Sequence, residues 1–178
     1  STLMQESNSE AGLHFASCGN GTPQHLAGGM LKGEGAQKLI HVPYKGCGPA
    51  LADLVAGQVP LGIITLSSAT PFIEDGSLRA LAVTSPKRHP ALPEVPSVAE
   101  ALKSDYALDQ WHGILAPAGT PKELVERLNQ SINSVLQDEV LANDLKALGY
   151  TLEKQSSAQF QKEIWRDIDR FTKLTERM

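Results

Sequence analysis

The sequence predicts an α/β protein with a parallel-rich sheet, because short apolar segments alternate with helix-like segments in its first half. Three apolar segments, residues 13–16, 39–44 and 59–65, have strand length and each precedes a helical pattern. Pro23 and Pro49 stand at the first positions of two of these helices, where proline is favoured. Repeated strand, glycine-containing loop and helix is typical of parallel α/β architecture.

Apolar spacing, prolines and helix-capping residues predict the next elements. Residues 68–74 form a short helical pattern, and residues 78–84 form an apolar segment that we expect to be a further strand. Residues 86–96 contain four prolines, which predicts an extended loop. A capping box at 97–100 begins another short helix, and an apolar segment through Trp111 and Leu115 is predicted to be a strand.

The last third of the chain, residues 120–178, has the pattern of a mostly helical segment with one short strand. A capping box at 120–123 begins one helix, leucines at 141–148 mark a second, and Ser156 is positioned to cap a third. The third helix has one apolar face: Phe160, Ile164, Ile168 and Phe171. Such helices need a sheet to cover their apolar faces.

Composition excludes several classes of protein. The chain has 178 residues, 41% hydrophobic and 20% charged, as in ordinary globular domains rather than disordered chains. A net charge of −4 without a basic cluster argues against nucleic-acid binding. The longest apolar stretch, residues 59–66, is interrupted and too short to span a bilayer. Residues 1–5 do not resemble a signal peptide.

Two glycine-containing loops are the best candidates for ligand binding. The first loop, residues 17–22, and the second loop, residues 45–48, each connect a predicted strand to a helix. Exposed N–H groups and the helix dipole there can bind a carboxylate or a phosphate. His25, one turn into the helix, could reach the same anion. The alternative, equally open from the residues alone, is that the glycines only permit tight turns.

No catalytic constellation is visible, and no catalytic residue, metal or cofactor is predicted. The first loop lacks the full dinucleotide and P-loop motifs, and the two cysteines fit no metal-ligand spacing. An enzyme acting on a carboxylated or phosphorylated metabolite remains the alternative. Cys18 would then be a nucleophile beside His14, His25 or His41.

Five segments, in order and with matching spacing, resemble the substrate-binding receptors of tripartite tricarboxylate transporters, the Bug or TctC type. The segments are Phe15–Leu26, His41–Gly46, Leu78–Ser85, Leu92–Glu100 and Leu115–Pro121. The resemblance implies a type II periplasmic-binding-protein fold with two lobes. It also implies a non-enzymatic periplasmic protein that captures a small carboxylate, such as a di- or tricarboxylate, and delivers it to a membrane permease.

The resemblance further implies how the chain is divided. Residues 1–112 would form the second, ligand-binding lobe, and residues 113–178 would supply the return segment and C-terminal helices of a first lobe lacking its N-terminal half. Apolar surface left exposed in that incomplete lobe would favour a homodimer or lobe exchange.

The ligand contacts that the resemblance implies lie in three loops. They are Ser17, Cys18, Gly19, Asn20, Gly21, Thr22 and His25, then Tyr44, Lys45 and Gly46, and finally Thr65. Relatives that bind amino acids often have an aspartate near residues 64–66; the apolar residues here argue against an ammonium-bearing ligand. Cys18 and Cys47 depart from the small residues usual in the family. A disulfide between them is a hypothesis if their strands are adjacent.

Overall fold

The computed structural model describes residues 2–176. The chain divides into two compact units, one ending at Gln110 and the other beginning at Trp111. The assignment of these segments to particular lobes of a two-lobed receptor stays a prediction.

The first unit contains a three-stranded parallel sheet. Its strands are β1 (Leu13–Ser17), β2 (Leu39–Pro43) and β3 (Leu61–Gly62), in the order β2-β1-β3. The register of β1 and β2 runs from Leu13 opposite Leu39 to Ser17 opposite Pro43. The parallel sheet predicted from the sequence is therefore confirmed.

Five helices accompany this sheet: α1 (Thr2–Ser7), α2 (Pro23–Gly33), α3 (Cys47–Val55), α4 (Leu66–Glu74) and α5 (Val98–Leu102). The main core contains Phe15 of the central strand, Leu31 of α2 and Tyr106, all nearly inaccessible to solvent. A Cβ atom at Gly28 would overlap the Phe15 ring, so only glycine lets α2 lie this close to β1. The Tyr106 hydroxyl donates to the Ala27 carbonyl at 2.9 Å, which satisfies both buried groups.

Three strand predictions were wrong in extent or type. Residues 59–65 supply only the two residues of β3, and residues 111–115 form no strand. Residues 78–84 make a single bridge, between Val83 and Ser97. The Val83 N–H donates to the Pro96 carbonyl in the proline-containing loop. Most of the apolar side chains in residues 78–84 and 111–115 stay partly or fully exposed, so apolar composition gave neither burial nor a strand. A strand also needs a neighbouring strand with which to form hydrogen bonds.

The second unit is helical, as predicted, with α6 (Lys122–Val135), α7 (Glu139–Ala147) and α8 (Ser157–Thr175). The cap predicted at Ser156 is confirmed, and its reciprocal bonds with Gln159 form a capping box. The capping box predicted at Thr120 is wrong. Pro121 occupies the N-cap position of α6 without a side-chain bond, and the Thr120 hydroxyl donates to the Pro117 carbonyl. The short strand expected near residue 151 is absent from this described region.

Trp111 makes two contacts within the second unit, although it is 38% exposed. Its indole N–H donates to Asp167 at 2.8 Å, and its ring meets Phe160 edge to face. Several large apolar side chains of this unit are more than half exposed: Ile114, Leu115, Val135, Val140 and Trp165. Self-association through this surface stays a prediction.

Candidate functional site

The carboxyl ends of three parallel strands bring three loops to one edge of the sheet. The first loop (17–22) follows β1, the second loop (45–48) follows β2, and a third loop (63–65) follows β3. Because β1 is central, the first loop lies between the other two strand ends. This edge is where open parallel sheets bind ligands.

The first and second loops are in direct contact. The Gly46 N–H donates to the Cys18 carbonyl at 3.0 Å, and the Tyr44 N–H donates to the Ser17 carbonyl at 3.2 Å. Gly19 has φ 140°, and a Cβ atom built there would lie 3.0 Å from the Tyr44 carbonyl oxygen. The close approach of the two backbones therefore requires glycine at this position.

A disulfide joins Cys18 to Cys47, with their Cα atoms 4.3 Å apart. The pairing hypothesis is thus confirmed, and its condition holds because β1 and β2 are adjacent. No cysteine of this chain carries a free thiol in the structure described for residues 2–176. The alternative of Cys18 as a catalytic nucleophile is wrong for this state, because nucleophilic attack requires a thiolate.

Three amides of the first loop already have acceptors, two within the loop and one on α2. The Gly19 N–H donates to the Ser17 hydroxyl at 3.1 Å, and the Gly21 N–H donates to Nδ1 of His25 at 3.2 Å. The Thr22 N–H reaches the Gly19 carbonyl at 3.5 Å. From the sequence, the N–H groups of this loop were expected to be open donors. The structure corrects that expectation for these three amides, because each is already engaged in holding the loop.

The two helix N-termini at this edge differ. At α2, Thr22 caps the His25 N–H through its side chain, and Pro23 has no N–H to offer. At α3, the N-cap is Gly46, which has no side chain to bond the first turn. Within the described residues, no acceptor contacts the N–H groups of Cys47 and Gly48. The α3 terminus is therefore the more open anion site of the two.

Two histidines support the first loop from the neighbouring strand and helix. His41 lies 2.6 Å from the fully buried Ser17 hydroxyl, and its ring stacks on His25 with centroids 4.0 Å apart. Burial, with His25 and Lys32 nearby, lowers the pKa of His41. Because Nδ1 of His25 accepts from Gly21, neutral His25 carries its proton on Nε2.

The side chains around the second loop have different environments. The Tyr44 hydroxyl donates to Asp53 at 2.7 Å, and this bond raises the pKa of Tyr44. Tyr44 therefore faces α3 rather than presenting a free donor. Lys45 is exposed and forms no ion pair with any described residue. Asn20 is also exposed at the tip of the first loop.

Thr65 belongs to a polar cluster that the sequence analysis missed. Its hydroxyl accepts from Nε2 of Gln24 at 2.8 Å, and the same Nε2 donates to Oε1 of Gln110 at 2.8 Å. The sulfur of Cys47 lies 3.7 Å from the Thr65 hydroxyl. Gln24 is only 6% exposed although it is polar. Its position one turn before Gly28 on the buried face of α2 was the available signal.

The structure thus brings all the predicted contacts from Ser17 to Gly46 to one edge of the sheet, with Thr65 beside them. Among residues 2–176, no group of histidine, cysteine, aspartate or glutamate side chains is arranged to hold a metal ion. No helix in the same range has the length and apolar character needed to cross a membrane.

Comparison with known proteins places this fold in a family. The family model described as "Tripartite tricarboxylate transporter family receptor" matches residues 4–178. The chain belongs to this receptor family. The resemblance stated from five sequence segments is therefore confirmed.

Individual relatives agree with this assignment. The chain is 46% identical, over 77% of its length, to a UPF0065 protein encoded in the tcbD–tcbE intergenic region of Pseudomonas sp. strain P51. It is 31% identical to R. palustris Rpa4515, solved with adipate, at TM-score 0.88 over 98% of this chain. It is 30% identical to the periplasmic binding protein BugD, at TM-score 0.82 over 98% of this chain. The family model describes receptors, and BugD is itself described as a periplasmic binding protein.

The chain matches only part of these longer relatives. The aligned region is 41% of the Pseudomonas protein, 58% of the R. palustris chain and 60% of the BugD chain.

Proposed function

We propose that this chain acts in an extracytoplasmic receptor that captures a small carboxylate, with dicarboxylates as the favoured class. The captured ligand is delivered to the membrane permease of a tripartite tricarboxylate-type transporter. The receptor works in the periplasm and catalyses no reaction. Membership of the receptor family and the likeness to an adipate-bound protein support this proposal.

The observation that carries the proposal is the open N-terminus of α3 beside an unpaired cation. The N–H groups of Cys47 and Gly48 have no acceptor among the described residues, and Lys45 immediately precedes this helix without an ion pair. Backbone N–H groups, the helix dipole and an ammonium group all favour a carboxylate. The apolar side chains of Ile64 and Leu66 favour a ligand without an ammonium group.

Binding is tested directly by thermal shift and calorimetry on the disulfide-intact protein. Adipate should raise the melting temperature in a concentration-dependent way, because a ligand that binds only the folded state stabilises it. Adipamide, which has the same chain length but no charge, is the matched control ligand and should give no shift. Equal stabilisation by adipate and adipamide would contradict the anion site, and no response to any carboxylate in a panel would contradict the proposed function.

The role of Lys45 is tested with a matched lysine at the other end of β2. Lys38 stands just before β2 and Lys45 just after it, so the two lie at opposite ends of the sheet. Lys45→Met should weaken adipate binding about three- to tenfold, the effect expected for one exposed charge. Lys38→Met should leave affinity unchanged. The same loss in both variants would show a general effect of net charge rather than a local contact.

The transport role is tested in cells. Periplasmic fractionation should recover the protein, and deletion of its gene should reduce uptake of the carboxylate that binds it in solution. Uptake should return with the wild-type protein and return less fully with Lys45→Met at limiting substrate. Unchanged uptake after deletion would contradict the proposed role in transport.

A further inference from the structure

We propose that the Cys18–Cys47 disulfide and the Thr65 hydroxyl form a brace that holds the three strand-end loops in the arrangement that binds the ligand. Cys18, Cys47 and Thr65 then act as positioning residues rather than as ligand contacts. This inference rests on the proposed function and goes beyond it by assigning how the site is kept in shape.

The disulfide is placed where it can fix the first loop against the second. Cys18 lies in the loop after β1, and Cys47 begins α3 after β2. Beside the covalent bond, the Gly46 N–H donates to the Cys18 carbonyl and the Tyr44 N–H donates to the Ser17 carbonyl across the same contact. The α3 terminus that offers the open N–H groups is therefore bonded directly to the first loop. Any opening of this contact would move Cys47 and Gly48 relative to Asn20.

Thr65 extends the brace to the third loop. Both sulfurs are in the disulfide, so the Cys47 sulfur can only accept, and the Thr65 hydroxyl lies 3.7 Å from it. The same hydroxyl accepts from Gln24, whose buried side chain also bonds Gln110. The same hydroxyl also lies 3.4 Å from Oε1 of Gln110, which competes with the sulfur for its single proton. With one lone pair and this proton directed to protein groups, the hydroxyl is engaged in joining the loops. The third loop is thereby connected to α2 and to the disulfide.

Hydrogen exchange tests the brace without needing a ligand. The reporter is the Gly46 N–H, which bonds the Cys18 carbonyl; the control is the Leu13 N–H, which bonds the Lys38 carbonyl at the opposite end of the sheet. Exchange is measured for the oxidised protein, the protein treated with dithiothreitol, and the double variant Cys18→Ser/Cys47→Ser. Dithiothreitol acts by two thiol–disulfide exchanges, which leave both cysteines as thiols and convert the reagent to its cyclic disulfide.

Breaking the disulfide should accelerate exchange at Gly46 about tenfold or more through local opening, with Leu13 much less affected. An unchanged rate at Gly46 would overturn the proposal. Equal acceleration at Gly46 and Leu13 would also overturn it, because the bond would then stabilise the whole unit rather than the loops. Two free thiols in oxidised protein, detected by mass spectrometry without reductant, would remove its basis.

Thr65 is tested with the disulfide intact. Thr65→Val removes the hydroxyl at nearly constant volume and should weaken adipate binding several-fold, whereas Thr65→Ser keeps the hydroxyl and should restore most of the affinity. Equal affinity in Thr65→Val and wild type would refute a role for this hydroxyl.

Failure of the proposed function is distinguishable from failure of the brace. Accelerated exchange at Gly46 in a protein that binds no carboxylate would leave the brace supported and the proposed function refuted. Tight adipate binding that is insensitive to reduction would support the proposed function and refute the brace.

Discussion

Gly19 offers the sharpest test of the close contact between the first and second loops. In Gly19→Ala, the new Cβ atom would lie 3.0 Å from the Tyr44 carbonyl oxygen, and the residue would have to keep φ 140°. A φ of 140° lies beyond the left-handed helical region and costs a residue with a Cβ atom about 1–3 kcal/mol. Crowding against the neighbouring backbone adds about 1–2 kcal/mol, at the lower end of the range for overpacked sites. We therefore expect Gly19→Ala to lose about 2–5 kcal/mol of unfolding free energy.

Gly21→Ala is the matched control for this prediction. Gly21 also has positive φ, at 71°, but a Cβ atom there would meet no atom within 4 Å. This variant should lose only the conformational term of about 1–2 kcal/mol. Both variants reduce the entropy of the unfolded chain in the same way, so their difference reports the contact with Tyr44 together with the greater backbone strain at φ 140°.

The assay must report on the first unit. Both tryptophans, Trp111 and Trp165, lie in the second unit, so tryptophan fluorescence would follow the wrong transition. Urea-dependent hydrogen exchange of peptides covering β1 and β2 gives the required free energy. Equal destabilisation of Gly19→Ala and Gly21→Ala would refute the close approach of the two loops.

The remaining predictions concern stability elsewhere in the chain. Tyr106→Phe should lose about 1–3 kcal/mol in the same exchange assay, because the buried Ala27 carbonyl would keep no donor from this side chain. Because the pKa of folded His41 is lowered from the usual 6.5, the unfolded state binds more protons than the folded state at acidic pH. Stability should therefore fall as pH decreases from about 6.5. His41→Gln should flatten this pH dependence, whereas His14→Gln, at an exposed position, should not. Ser156→Ala should lose about 1 kcal/mol from α8, measured by urea unfolding followed through tryptophan fluorescence, and an unchanged midpoint would contradict the capping assignment.

Local sequence signals were sufficient where an element is determined by its own residues. Thr22 followed by Pro23 predicted the start of α2, and Ser156 predicted the start of α8. The segment 78–84 has similar apolar character to a strand, yet no strand of the described chain lies beside it. Strand formation depends on a distant partner, and a single sequence does not state which partner is available.

The site was predicted in composition but not in hydrogen bonding. Ser17, Gly19 and Gly21 were predicted to be loop residues, and they lie at the sheet edge in the structure. It could not show that Ser17 and His25 accept from the loop amides, because those bonds depend on the turn geometry and on the register of β1 with β2. The register also sets Phe15 beside His41 and so places His41 under the first loop.

The N-termini of α2 and α3 differ in how many N–H groups they leave open because their N-cap residues differ. Threonine before Pro23 supplies a side-chain oxygen that satisfies the first turn of α2 internally, whereas Gly46 before α3 has no such group. A glycine N-cap is less stabilising for the helix unless another acceptor reaches the exposed N–H groups. A carboxylate bound there would supply that acceptor, so ligand binding and the stability of α3 should increase together. Adipate should therefore protect the first-turn amides of α3 from exchange more than those of α2, and equal protection of both would contradict this order.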